Sequence, residues 1–104
     1  MLRPFAALAL TLLAWTPAAA AEGPAPSKHV AKIMARADGA SPETAYRVSS
    51  IRDEYEIVRA LGFQVKSQAL VVRKKPYDML TVVDPKDGST REIWFDIGKF
   101  YPEF

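Results

Sequence analysis

Hydrophobic positions along this chain follow three patterns, and each predicts a different kind of element. The first is continuous. Residues 5–15 form an apolar run interrupted only by Thr11, with Arg3 before it and Thr16-Pro17 after it. Ala18-Ala19-Ala20-Ala21 then leads into Glu22. A positive start, a short apolar core and small residues at a peptidase site predict a secretory signal over residues 1–21, cut before Ala21 or Glu22. The run is too short for the ~20 residues of a membrane span. The expectation is an exported protein, periplasmic or secreted, with no integral membrane segment once the signal is removed.

The second pattern has helical period. Residues 22–42 read as a leader, and within it Val30, Ile33, Met34 and Ala37 keep the i, i+3, i+4, i+7 spacing of an apolar stripe. This predicts a short helix over 28–38, capped by Ser27 and ended by Gly39. Such a length is marginal alone. The helix either docks on the domain or, with Lys28, Lys32 and Arg36 on another face, touches anionic lipid. A stronger helix opens at Ser50-Ile-Arg-Asp53, where Ser50 can cap the Asp53 amide and Asp53 with Glu54 complements the helix dipole. Ile51, Tyr55, Val58 and Leu61 form its expected buried stripe, with Ile57 on the flank and Gly62 as a left-handed C-terminal cap. Tyr55 and Val58 are expected to press on Phe95.

The third pattern is alternation. Residues 63–72, 77–84 and 90–97 read as strands, and residues 44–48 as a shorter one. Lys74-Lys75-Pro76 and Asp84-Pro-Lys-Asp-Gly88 make the links, the second with Pro85 and Gly88 placed as a turn requires. Short links predict antiparallel neighbours. The whole reads as one α+β domain over residues 43–104, ordered β-α-β-β-β. It has an antiparallel sheet of three to four strands, and one main helix packs on one face.

Counted by parity, odd positions carry Phe63, Val65, Ala69, Val71, Tyr77, Met79, Val83, Ile93, Phe95 and Ile97, and are expected to face the helix. Even positions carry the charges Lys66, Asp78, Glu92 and Asp96, but also Leu70, Val72, Leu80, Val82 and Trp94. Those five are expected to form one apolar patch, with Trp94 as its anchor, and they are the candidate binding residues. Three covers are open: the aromatic tail at Phe100, Tyr101 and Phe104, the helix at 28–38, or another chain.

Composition narrows the chemistry. The chain has 104 residues and a formal charge of +2, and loss of Arg3 with the signal leaves 13 basic against 12 acidic residues. That balance argues against a nucleic-acid partner. There is no cysteine, so disulfides, thiolate metal sites, thiol catalysis and lipoprotein anchoring drop out. The single histidine, His29, falls in the leader and has no rigid setting for serine catalysis. No phosphate loop, zinc-binding His pair or nucleophile elbow occurs, and no metal or cofactor is implied. Asp78, Glu92 and Asp96 are the residues a carboxylate-dependent hydrolase would use. Charged strand residues more commonly resist edge-to-edge pairing. Arg73-Lys74-Lys75 is a basic hairpin tip, available to an acidic partner.

One resemblance stands beside this reading. Asp38-Gly-x-Ser41-Pro-Glu-x-Ala45, Glu54-Tyr55, Ser67-Gln-Ala-Leu70, Pro76-Tyr-Asp-x-Leu80 and Trp94-Phe-Asp-Ile97 with Phe100 resemble a group of small exported bacterial proteins of unknown function. It covers residues 38–101. It implies export and a compact α+β domain, and it brings no activity, ligand or site residue. The expected function is a non-catalytic binding or interaction module, with an unidentified protein partner or a second copy; the alternative is a small carboxylate-dependent hydrolase.

Overall fold

A computed structural model describes residues 23–102. The export signal expected over residues 1–21 and the last tail aromatic, Phe104, lie outside the described residues.

The helices start where side-chain caps stand. Helix α1, Lys28–Ala35, begins with Ser27 Oγ accepting the Val30 amide at 3.2 Å. After a 3-10 turn at Pro42–Thr44 and a two-residue strand β1, Tyr46–Arg47, helix α2 runs over Ile51–Ala60. Ser50 Oγ accepts the Asp53 amide there, also at 3.2 Å. Gly62, at φ +84°, turns the chain out of α2 as expected of a left-handed cap. Strands β2, Gln64–Val72, β3, Pro76–Val83, and β4, Thr90–Asp96, follow. They form a four-stranded sheet in the order β1-β4-β3-β2. The meander is antiparallel, and β1 joins the β4 edge in parallel, which makes the sheet mixed. The α+β class and the main helix packed on the sheet agree with the expectation from sequence.

Helix α1 docks on the domain. Val30 is fully buried, and Ile33, Met34 and Ala37 pack against the main core. Its entry is tied to α2 twice: the Ser27 amide donates to Glu56 Oε2 at 2.6 Å, and His29 Nε2 meets Asp53 Oδ2 at 3.0 Å. The stripe on α2 differs from the expected one. The buried face carries Glu54, Ile57 and Val58, and Tyr55 is 37% exposed. Residues 54, 57, 58 and 61 obey the same spacing rule, but a carboxylate in that set makes it read as a surface face.

The core lies between the helices and the sheet. Ile57 and Val58 of α2 meet Leu80, Val82, Ile93 and Phe95, and Phe100 and Tyr101 pack on the same cluster. Phe100 and Tyr101 of the aromatic tail therefore join the main core instead of covering a second face.

Gly39 covers part of the outer side of β4. Its carbonyl accepts the Trp94 amide at 2.8 Å, extending the line of β1 along β4. Its φ is +68°, and a Cβ there would stand 2.5 Å from the Tyr46 ring and 2.9 Å from Ile93 Cγ2. Strain and overlap act together, so Gly39→Ala is expected to destabilise the protein by about 1–3 kcal/mol. Urea unfolding would check this; an unchanged midpoint would mean that the segment carries no tertiary load.

Candidate functional site

The five candidate patch residues do not form one surface. Leu80 and Val82 are fully buried beneath α2. Leu70 and Val72 lie on the same face of the sheet but are 49% and 59% exposed, because β2 overhangs the helical layer. Trp94 is on the opposite face. Its ring is met edge-on by Tyr77, with centroids 5.9 Å apart, and Arg73 lies 5.6 Å from its centroid. The register gives the reason. Across β3 and β4 the pairs are Leu80 with Ile93 and Met79 with Trp94, so even positions of one strand face the same way as odd positions of the next. A shift of one residue exchanges the two faces of a strand. The link over residues 84–89 sets that odd offset, and equal parity held only between β3 and the C-terminal part of β2. A register shift between Val65 and Ser67 then exchanges faces again within β2.

The same register separates the carboxylates proposed for hydrolysis. Asp78 faces the core, opposite Phe95. Glu92 and Asp96 point to the other face, and Asp96 Oδ2 accepts from Lys75 Nζ at 3.2 Å. Asp78 instead faces Glu54, a pairing that sequence reasoning missed. The two are 1% and 0% exposed. Among the described residues, neither Glu54 oxygen nor Asp78 Oδ2 has a hydrogen-bond partner of ordinary geometry. Burial pushes the Glu54 carboxyl up to about 9; the facing Asp78 carboxyl, by its closeness and its charge, and, least, the charge of Asp53 push the same way. Glu54 is thus neutral at physiological pH. A displaced carboxyl is often a catalytic signature, but this pair is sealed from any substrate. Asp53 serves structure as well: its Oδ2 accepts the Ser49 amide at 2.9 Å besides meeting His29. Among the described residues no three acidic or histidine side chains converge as a metal site, and no helix is long and apolar enough to cross a membrane.

The exposed chemistry that remains is strand β2. It is nine residues long, and eight of them are exposed, with Val71 half-buried. Its outer edge pairs with no described strand. Ladder alternation shows which backbone groups that edge presents. Pro76 O accepts from Ile97 N at 3.2 Å, so the even residues of β3 point their backbone groups toward β4. The odd residues of β3 then bond β2 through Ser67, Ala69 and Val71. The N–H and C=O groups of Gln68, Leu70 and Val72 face outward. At the other end of the sheet, the outer side of β4 is covered by the two-residue strand β1 and by Gly39. No residue signal short of the register could have singled out these three.

Nothing among the curated proteins and nothing among the solved structures matches this chain. A family profile does, over residues 5–103, and its description assigns no activity, ligand or site residue. On that near-complete match the chain belongs to the DUF4919 family, a domain of unknown function.

Proposed function

We propose that this protein is an exported, non-catalytic binding module that takes up its partner by strand addition along the open edge of β2. One observation carries the reading: a nine-residue edge strand presents outward backbone groups at Gln68, Leu70 and Val72, with the Leu70 and Val72 side chains exposed beside them. Unpaired strand edges template pairing with another chain, and domains that bind by strand addition draw affinity from such main-chain groups and specificity from alternate side chains. The edge is only lightly guarded, by Lys66 alone within the strand. The sealing of Glu54 and Asp78 argues against the hydrolase alternative.

Leu70→Pro tests the reading. The Leu70 N–H makes no bond to β3, so proline removes one outward donor while the inner ladder stays intact. Protein made from the full chain serves as bait for envelope extracts, and its intact mass shows whether it starts at Ala21 or Glu22. The expected result is a captured partner that is lost with Leu70→Pro while the melting midpoint stays within a few degrees. Equal capture by the variant would overturn the strand-addition reading. A reproducible hydrolysis of peptides, glycans or esters would overturn the non-catalytic one.

A further inference from the structure

The chemistry along β2 also says what kind of strand it fits, given that β2 acts as the docking edge. From Gly62 to Tyr77 the chain carries Lys66, Arg73, Lys74 and Lys75 and no acidic residue. Two of those cations already have partners: Lys75 pairs with Asp96, and Arg73 lies over the Trp94 ring. Lys66 and Lys74 form no ion pair among the described residues. Lys66 stands near the start of the exposed strand and Lys74 in the bend just past its end, eight residues apart in sequence. Between them, Leu70 and Val72 offer apolar contact on the helix side.

We propose that the occupant of this edge is an acidic extended segment of another protein, apolar at alternate positions and bearing a carboxylate near each end. A second copy of this chain fits less well. An antiparallel pair centred on Leu70 sets Lys66 directly opposite Lys74 of the copy, and like charges opposite one another destabilise a sheet. The basic turn of each copy would also lie along the strand of the other. An acidic segment turns both repulsions into attractions, and its side chains on the helix side cover Leu70 and Val72.

The test uses protein labelled with nitrogen-15 and two synthetic nonapeptides. One has the sequence Glu-Thr-Val-Thr-Val-Thr-Val-Thr-Glu, which sets valines opposite Leu70 and Val72 when the end residues face Lys66 and Lys74; the other carries lysine at both ends. The Glu peptide is expected to move the amide signals of Gln68, Leu70 and Val72. At about 50 mM salt it should bind about tenfold more tightly than the Lys peptide, with the preference shrinking as salt rises. Joint reversal by Lys66→Glu and Lys74→Glu should invert the preference. Equal binding of both peptides at these amides overturns the acidic partner and leaves strand addition standing. If neither peptide moves them, the acidic partner is wrong; strand addition falls with it only if capture also survives Leu70→Pro. Shifts at these amides that grow with protein concentration alone identify a second copy as the occupant and overturn the proposal.

Discussion

Phe95→Ala is expected to leave the protein without a cooperative melting transition. Phe95 is fully buried on β4, and its Cα partners are Tyr46 on β1 and Asp78 on β3. Its ring lies 5.8 Å from that of Tyr46, and it belongs to the cluster formed with Ile57 and Val58 of α2. Truncating a buried phenylalanine typically costs about 3–5 kcal/mol, part of it for the cavity left behind. At about 0.05–0.15 kcal/mol per residue, a domain of this size has roughly 4–12 kcal/mol in total. No disulfide limits the unfolded chain, since the sequence has no cysteine. Thermal circular dichroism and urea titration should therefore show most molecules unfolded, or a midpoint far below that of wild type. A sharp transition within a few degrees of wild type would place the core elsewhere.

The second large effect is expected at Glu54, in the opposite direction. The folded state holds this carboxyl protonated up to about pH 9, while the unfolded chain releases the proton near the ordinary value of 4.5. Between those limits the native state binds more protons than the unfolded one, so stability falls as pH rises. The stabilisation is complete below about pH 4.5 and is lost progressively toward pH 9. The slope is on the order of 1 kcal/mol per pH unit for one proton. Glu54→Gln keeps the shape, keeps a donor for Asp78 and has no proton to lose. Urea unfolding from pH 5 to pH 9 should show a sloping wild type and a flatter variant that is the more stable of the two at pH 8. Equal slopes would mean that Glu54 ionises in the folded protein without penalty, and the buried pair would lose its meaning.

The local elements were legible because local rules govern them. Ser27 and Ser50 cap the helices that the apolar spacing located, and Gly62 and Gly88 take positive φ where turns needed it. The candidate site was legible only in part. Leu70 and Val72 are exposed and remain in the proposed interface, whereas Leu80 and Val82 are core and Trp94 belongs to the other face. Glu54 and Asp78 gave no signal, because a carboxylate in a helix or strand reads as a solvent-facing residue until its surroundings are known.

The sequence by itself determined the kinds of elements, their order and their ends, since spacing, capping and turn chemistry act over a few residues. Tertiary structure decided which strand faces became core. Leu80 and Val82 at even positions join Ile93 and Phe95 at odd ones only because of the register across β3 and β4. Both parities are apolar in the sequence for that reason. The alternation alone assigned the helix the right parity on β4, where Ile93 and Phe95 are core, but the wrong one on β3, where Tyr77 and Met79 face away. The same register left β2 overhanging with its edge open. A one-residue offset between strands leaves local propensity unchanged but moves every side chain to the other face, so its choice rests on what the assembled core can bury.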